Sequence, residues 1–363
     1  MREKYLNRLV ECIKASDLDA VLVCPGEEME FLLGFRPMLC ERFQGLFVKA
    51  DGSMFYICNL LYQEELRKEF PESIPVYPWF DGEFMTQVVG RVLEEQGLSG
   101  KKIGVNSDAQ AFNILEIMDR TNVTFCNAKP LLEEMRVKKD AGEMEALRKS
   151  SKIVDQVFTE VQAVIRPGVT EKEVQEFLLE RMSALGGKSP ECIVGAGANS
   201  SYPHYNDNKG IIQEQDVVLL DYGCTYEGLY SDMSRTVFVG GITPKQKECY
   251  ELVRRANESA EAMAEEGAWI PDMDKKAREV LDEKGYAKTL INRLGHGIGY
   301  TIHEAPDIKQ SNPRKLERGM AFSIEPGIYL GGEFGIRIED VVLINEQGRR
   351  EILNSSTKEL IIL

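Results

Sequence analysis

The sequence contains no hydrophobic run that approaches the roughly 20 residues a membrane-spanning helix needs. Its start, MREKY, lacks the apolar core and the small-residue cleavage site of a signal peptide. These two absences predict a cytoplasmic protein that has no membrane segment.

A block of lysine and arginine is absent as well. The 44 basic residues are interleaved with 59 acidic ones, and the net charge is -15. Binding to a phosphate backbone depends on clustered positive charge that releases counterions. Nucleic acid is therefore disfavoured as a partner.

The cysteines form no recognisable metal or disulfide pattern. All eight are widely spaced, and no C-x-x-C pair occurs. Such spacing suits neither a zinc ribbon nor a compact disulfide framework, and it indicates buried thiols in a reducing compartment. Histidine is scarce, with three residues in the chain, so their positions carry much of the functional argument.

The length indicates two domains, because 363 residues exceed a typical domain of about 150 residues. Over residues 1–130, helical periodicity alternates with strand-like runs, and the pair Asp51–Gly52 is typical of a hairpin turn. We predict a small mixed α/β domain there with a structural or oligomerising role. Residues 131–143 are predicted to form a linker and helix start, and residues 144–363 the second domain.

Helix signals and glycine-punctuated strands alternate in the second domain. A helix is predicted from about residue 143 to residue 165, ending before Pro167–Gly168. Three pairs have the spacing of a capping box, namely Asp140 with Glu143, Thr170 with Glu173, and Thr243 with Gln246. The pattern predicts an α+β domain with an antiparallel sheet.

One predicted hairpin carries two aspartates. Strands near 217–223 and 230–237 flank Glu227–Gly228. A turn centred between residues 226 and 227 places Asp221 opposite Asp232, with Cβ atoms about 5 Å apart. Because facing like charges destabilise a sheet, the pair indicates a divalent cation or, alternatively, a bulge that turns the carboxylates toward solvent.

A second hairpin repeats this arrangement with two glutamates. The strand-like segments 322–329 and 335–342 flank a glycine pair, and a turn centred on Gly332 places Glu325 opposite Glu339. The same two alternatives apply, a shared cation or a bulge that exposes the charges.

The histidines lie in or near these segments. His296 is flanked by Gly295 and Gly297, which allow the backbone to approach a ligand closely. His303 begins the string HEAP, and His204 lies in a turn-rich stretch ahead of the first aspartate strand. The glycine spacing near His296 does not match a dinucleotide-binding fingerprint.

These strings resemble the metal-binding motifs of the creatinase and methionine aminopeptidase superfamily. The matching strings are LLDYG through YSDMSRT, GHGIG with HEAP, IEPGIY, and GIRIED. The resemblance implies a creatinase-like, or pita-bread, catalytic fold for residues 144–363. The additional first domain is similar to the branch that holds Xaa-Pro dipeptidase (prolidase) and aminopeptidase P.

The resemblance also implies two divalent metal ions and the residues that hold them. The implied ligands are Asp221, Asp232, His296, Glu325 and Glu339. Oxygen-rich ligation with one imidazole suits Mn²⁺ or Co²⁺, with Zn²⁺ or Fe²⁺ as alternatives.

Further roles follow from the same resemblance. Glu325 resembles the general acid/base, His303 the histidine that steadies the developing oxyanion or the peptide, and His204 the one that lines the proline side. Arg337 is placed two residues before Glu339, on the same strand face. It orients Glu339, binds a substrate carboxylate or forms a structural ion pair; the sequence leaves all three open.

The implied reaction is hydrolysis of the peptide bond before proline by a hydroxide that bridges the two ions. Xaa-Pro dipeptides are the first expectation, and longer peptides, cleaved by an aminopeptidase P-like activity, are the alternative. Some prolidases carry an arginine directly after the His-Glu-x-Pro string, where this chain has Asp307. An acid at this position favours a longer substrate, whereas the length of the chain favours a dipeptidase. A creatinase-like amidinohydrolase and a non-catalytic binding protein are disfavoured by the complete ligand set, and a homodimer is expected.

Overall fold

The computed structural model describes residues 2–363. It divides into two compact units, Met1–Arg136 and Val137–Leu363. None of the helices in the described range is long and apolar enough to span a membrane.

The first unit is built on a mixed six-stranded sheet in the order β4-β3-β2-β1-β5-β6. Its strands are β1 (Ala20–Val23), β2 (Gly45–Lys49), β3 (Met54–Asn59), β4 (Val76–Trp79), β5 (Lys102–Val105) and β6 (Thr124–Asn127). Its helices are α1 (Glu3–Lys14), α2 (Glu27–Leu33), α3 (Gln63–Glu69), α4 (Met85–Glu95), α5 (Ala111–Arg120) and α6 (Lys129–Val137), with a short 3₁₀ turn at Leu60–Tyr62. The predicted mixed α/β domain is confirmed.

The predicted hairpin of this unit is also present. Strands β2 and β3 pair antiparallel, and Gly52 adopts a positive φ of 86° in the turn between them. Glycine favours this conformation because it has no Cβ atom. The sequence signal therefore located the turn correctly.

The second unit contains two sheets of three or more strands and a separate two-stranded ribbon. The sheet orders are β10-β8-β7, with β9 paired to β8, and β12-β11-β13-β16-β17, while β14 pairs with β15. The strands are β7 (Lys188–Ala196), β8 (Val217–Tyr226), β9 (Leu229–Tyr230), β10 (Met233–Phe238), β11 (Gly295–Gly297), β12 (Glu304–Ile308), β13 (Ala321–Ile324), β14 (Gly327–Leu330), β15 (Phe334–Arg337), β16 (Asp340–Ile344) and β17 (Arg350–Ile352). All sheet pairings in this unit are antiparallel, as predicted.

Four helices cover these sheets. They are α7 (Ala141–Val161), α8 (Glu171–Ala184), α9 (Pro244–Glu261) and α10 (Ile270–Asp282), and 3₁₀ turns lie at Gly197–Ser201 and Ala287–Thr289. The three predicted capping boxes are confirmed at the starts of α7, α8 and α9. Each box satisfies backbone N–H groups that a helix start leaves without an intrahelical partner, which is why the sequence marks these starts reliably.

Apolar packing joins the helices and sheets into two halves. One core forms where α7 and α8 pack on β7, β8 and β10, and another where α9 and α10 pack on β13 to β16. The halves meet at an antiparallel bridge between Ser234 and Glu339. This arrangement is the expected pita-bread fold.

Candidate metal centre and its cavity

The first carboxylate hairpin differs from the predicted register by two residues. Asp221 in β8 pairs with Ser234 of β10, and Asp232 lies in the short gap between β9 and β10. The turn residues Glu227 and Gly228 both have positive φ, 50° and 81°, so the turn is one residue further along than predicted. A shift of two residues preserves the sheet face, and Asp221 and Asp232 remain close enough for the charge of Asp221 to raise the pKa of Asp232.

The second carboxylate hairpin has the predicted register. Gly327 pairs with Arg337 in the β14–β15 ribbon, and Ile324 pairs with Asp340 between β13 and β16. Glu325 and Glu339 lie on opposite strands between these two paired regions, so the two residues lie close together in the fold. Gly332 has a positive φ of 78° at the predicted turn.

His296 brings the two hairpins together. Its Nδ1 lies 3.1 Å from the Gly297 carbonyl, which only accepts hydrogen bonds, so Nδ1 carries the proton. The unprotonated Nε2 then faces three carboxylate oxygens, at 3.6 Å from Asp232, 3.4 Å from Glu325 and 4.0 Å from Glu339. The backbone at His296 is held to β13, since the His296 amide donates to Ser323 Oγ at 3.0 Å.

The electrostatics of this cluster call for a cation. Burial, with neighbouring carboxylates adding to it, raises the pKa of Asp232 and of Glu339 well above the ordinary values. Burial raises the pKa of Glu325 to about 7 and lowers the pKa of His296 to about 3. The buried Oε1 of Glu339 has no hydrogen-bond partner among the described residues, although Oε2 accepts from Ser234 Oγ at 2.6 Å.

A divalent ion fits these observations. Asp232, His296 and Glu339 each offer a ligand atom, and the three atoms lie within 4.8 Å of one another. Carboxylate oxygens and a neutral imidazole nitrogen are the donors that first-row divalent metals take in proteins.

Arg337, for which the sequence leaves three roles open, forms an ion pair with Asp221. Its Nη2 pairs with Asp221 Oδ2, and its Nε donates to Ser234 Oγ at 2.8 Å. Its Nη1 donates to the Tyr329 hydroxyl at 2.8 Å and to the Pro203 carbonyl at 3.4 Å. Ser234 therefore connects Arg337, and through it Asp221, to Glu339.

Behind the cluster, a buried arginine fixes the strand that follows Asp232. Arg235 donates from Nη1 to the Glu339 carbonyl at 2.7 Å and from Nη2 to Asp340 at 2.7 Å. Its side chain is 1% exposed, and that of Asp340 is fully buried. These contacts tie β10 to the start of β16, so the backbones that carry Asp232 and Glu339 are held together.

The cluster lies in the wall of a cavity of about 680 Å³. His204 and His303 also line it, together with Ile193, Ile302 and Arg293. The His303 ring meets the His296 ring edge to face at 4.3 Å, and Asn292 donates to Glu325 Oε2 at 3.3 Å. The volume is typical of a small-molecule site.

The structure brings all predicted site residues to this cavity. Those residues are Asp221, Asp232, His296, Glu325, Glu339, His204, His303 and Arg337. Sequence reasoning missed Ser234 and Tyr329, although both lie inside the strings YSDMSRT and IEPGIY, and it missed Asn292 and Arg293, which no motif marks.

Comparison with known proteins agrees with this geometry. Residues 145–346 match metallopeptidase family M24, and residues 6–138 match the creatinase/prolidase N-terminal domain. The chain is 32% identical to the probable dipeptidase PepE of Mycobacterium tuberculosis, over 99% of this chain and 97% of that protein. It is 31% identical to the Xaa-Pro dipeptidase of Lactobacillus helveticus, over 94% and 95%.

Among solved structures, a recombinant prolidase from Thermococcus sibiricus matches with a TM-score of 0.90 and 32% identity, covering 100% of this chain and 99% of that one. Both domains, the order of the motifs and the carboxylate–histidine cluster thus agree with one assignment. The chain belongs to metallopeptidase family M24.

Proposed function

We propose that this protein hydrolyses the peptide bond before proline, with Xaa-Pro dipeptides as its main substrates. The observation that carries the proposal is the convergence of three carboxylates on Nε2 of His296 inside a cavity of small-molecule size. Full-length relatives named Xaa-Pro dipeptidase and prolidase support it. Cleavage of longer peptides, as by an Xaa-Pro aminopeptidase, is the second candidate, favoured by Asp307 at the position where some prolidases have arginine.

As a member of a metallopeptidase family, the protein uses divalent metal ions. We propose two ions, held by Asp221, Asp232, His296, Glu325 and Glu339. Four carboxylates would balance the four positive charges of two divalent ions, and the raised pKa values of Asp232, Glu325 and Glu339, caused first by burial, support a bound cation at this place. Mn²⁺ or Co²⁺ is the proposed metal, with Zn²⁺ or Fe²⁺ as alternatives.

When bound, the ions supply Lewis acidity, which activates water and polarises the scissile carbonyl. The protein supplies positioned groups around that chemistry. Glu325 lines the cavity with a pKa raised by burial to about 7, and it is proposed to take a proton from the attacking water and deliver it to the proline nitrogen. Asn292 and Ser323 contact its two oxygens, at 3.3 and 3.4 Å, and hold the carboxylate in place.

The two other histidines act on the substrate. We propose that His303 donates a hydrogen bond to the developing oxyanion or to the peptide, because it lies against His296 in the cavity wall. His204 is proposed to line the proline side. Arg337 is proposed to hold Asp221 in position, and the prediction that it binds substrate directly stays a prediction.

The first unit is proposed to mediate dimer formation. Its exposed apolar side chains include Met38, Leu39, Leu60, Leu61, Phe80 and Phe84. The loops that carry them are joined by Arg42 and Asn59, which both donate to Asp81, at 3.0 and 2.9 Å. An exposed apolar group of this kind indicates an interaction surface. Light scattering of the full chain and of Leu61→Glu tests the homodimer.

We propose that residues 1–130 serve this structural role, that residues 131–143 link the domains, and that residues 144–363 carry the catalytic site. A cytoplasmic location is also proposed. None of the eight cysteines is paired in a disulfide within the described chain, which supports a reducing compartment.

Hydrolysis of an Xaa-Pro dipeptide beside the matching Xaa-Pro-Yaa tripeptide, by Mn²⁺-loaded protein with and without a chelator, tests the function. Chelator-sensitive cleavage of the dipeptide is the expected result, preference for the tripeptide would favour the aminopeptidase, and cleavage of neither would contradict both. Asp232→Asn should abolish turnover and lower the bound metal while circular dichroism stays unchanged. Full activity of this variant would contradict the proposed two-metal ligand set.

A further inference from the structure

The substrate's free carboxylate separates a dipeptidase from an enzyme that cleaves longer peptides. In an Xaa-Pro dipeptide this carboxylate belongs to the proline itself, so a site that selects dipeptides needs a cation beside the proline. Among the described residues that line the cavity, the arginines are Arg293 and Arg337, and no lysine is present. Given the proposed function, on which this reasoning rests, one of these two arginines should bind the substrate's free carboxylate.

The contacts of Arg337 leave it little freedom to do so. All three of its guanidinium nitrogens donate to protein acceptors, and its side chain is 3% exposed. Binding a substrate carboxylate through two parallel N–H groups would require it to give up at least one of these partners.

Arg293 is in a different position. It lies two residues before β11, its side chain is 32% exposed, and it lines the cavity with His303 and Ile302. Its Nη1 donates to Asp307 Oδ1 at 2.6 Å, and its Nε and Nη2 make no hydrogen bond to the described residues. A guanidinium can bind a carboxylate through two parallel N–H groups, so Arg293 has donors to spare.

Asp307 is built to hold this arginine. It belongs to β12 and is not one of the residues that line the cavity. Lys309 contacts its other carboxylate oxygen at 2.6 Å, and Asn312 donates to its backbone carbonyl at 2.6 Å. The Leu294 amide bonds to the Ile308 carbonyl at 3.0 Å, which keeps the strand ends that carry Arg293 and Asp307 side by side.

We propose that Arg293, oriented by Asp307, binds the free carboxylate of the substrate's proline and thereby selects dipeptides. This places a cation in the cavity from the segment that precedes β11, although residue 307, which is arginine in some prolidases, is an acid here. Asp307 then acts as a positioning residue for Arg293. Its negative charge is already paired with Arg293 and Lys309 and does not confront the substrate.

The test compares an Xaa-Pro dipeptide with the same dipeptide as its C-terminal amide, which lacks the negative charge. Arg293→Ala should raise KM for the acid about 10- to 100-fold and leave the KM for the amide nearly unchanged, because charge-assisted hydrogen bonds are lost for the acid alone. Arg181→Ala is the matched control: Arg181 also pairs with a carboxylate, Glu160, at similar exposure of 35% and 30%, and it does not line the cavity. Equal effects of Arg293→Ala on acid and amide would overturn the inference.

Two further measurements complete the test. The exchange variant Arg293→Asp with Asp307→Arg should regain a preference for the acid that Arg293→Asp alone has lost, and a folded exchange variant indifferent to the carboxylate would count against the inference. Calorimetric binding of free proline and prolinamide to the metal-loaded protein gives a readout without turnover. Absence of hydrolysis by the wild type would contradict the proposed function, whereas equal binding of proline and prolinamide would contradict the role of Arg293.

Discussion

A buried ion pair beside the cavity allows a quantitative prediction. The Lys139 Nζ contacts Glu304 Oε1 at 2.5 Å, and the two side chains are 3% and 1% exposed. Glu304 directly follows His303, and its Oε2 accepts from the Thr301 amide at 3.3 Å. The Lys139 amide donates to the Gly319 carbonyl at 2.8 Å. The pair therefore fixes the segment that carries His303 to the start of the second unit.

Lys139→Met removes the cation and leaves the buried carboxylate in place. Breaking a buried ion pair from one side costs about 3–5 kcal/mol, whereas removing both charges costs far less because no charge is left buried. We expect Lys139→Met to lower the free energy of unfolding by about 3 kcal/mol or more. The double variant with Glu304→Gln should recover a large part of that loss. We also expect kcat to fall about tenfold in the single variant, because His303 is less well held.

Urea unfolding measures the stability loss in the unit concerned. The chain has two tryptophans, Trp79 in the first unit and Trp269 in the second, so fluorescence in a Trp79→Phe background reports on the second unit alone. Lys172→Met is the control, since Lys172 pairs with Glu176 at the surface, with exposures of 67% and 57%, and should cost less than about 0.5 kcal/mol. A loss below about 1 kcal/mol for Lys139→Met, or no recovery in the double variant, would refute the reasoning.

Three further predictions concern the cluster and its supports. Burial raises the pKa of Glu325 to about 7 and holds those of Asp232 and Glu339 well above their ordinary values, so the metal-free native state binds more protons than the unfolded state. The stabilisation of the metal-free protein by these protonated carboxyls is complete below pH about 4.5, the unfolded pKa of Glu, and is lost as the pH rises through about 7. The thermal midpoint of chelator-treated protein should therefore fall between pH 5 and pH 8 relative to that of Mn²⁺-loaded protein. A relative rise would contradict the clustering of buried carboxylates. Tyr329→Phe removes the hydroxyl that accepts from Arg337 Nη1 at 2.8 Å, and Arg337 in turn pairs with Asp221. The kcat/KM should fall about 2- to 10-fold with unchanged metal content. An unchanged kcat/KM would show that this hydrogen bond does not support Asp221. Asp155→Ala removes the acceptor of four hydrogen bonds of 2.6 to 2.8 Å from Ser355 and Ser356, and urea unfolding should show a loss of about 2 kcal/mol or more, whereas a loss below about 0.5 kcal/mol would mean that the C-terminal segment is held elsewhere.

Local signals in the sequence were sufficient for much of the fold. The capping boxes at Asp140, Thr170 and Thr243 predict three helix starts correctly, because a cap depends on residues only three positions apart. The register of the second hairpin was equally accessible. The pairing continues unchanged from Leu330 with Phe334 to Phe322 with Val342, so one turn position fixes both paired regions.

The first hairpin shows where local reasoning stops. Glu227 adopts a positive φ, which is uncommon for a residue with a side chain, so placing Glu227–Gly228 between the two strands did not reveal that these two residues form the centre of the turn. The resulting shift moved Asp232 out of the ladder and opposite no residue of β8. The predicted proximity of the two aspartates survived because a shift of two residues keeps the same face.

By itself, the sequence determined the set of candidate site residues that the fold brings to one cavity and the order in which they occur, because each motif is a short string with local backbone requirements. Only the tertiary structure decided how these residues pair. Arg337 contacts Asp221, 116 residues away, and Arg293 contacts Asp307 across a strand pair, so neither contact follows from sequence spacing. Long-range partners are selected by the packing of the two halves around His296, since a buried charge is tolerated only where the fold supplies its counter-charge.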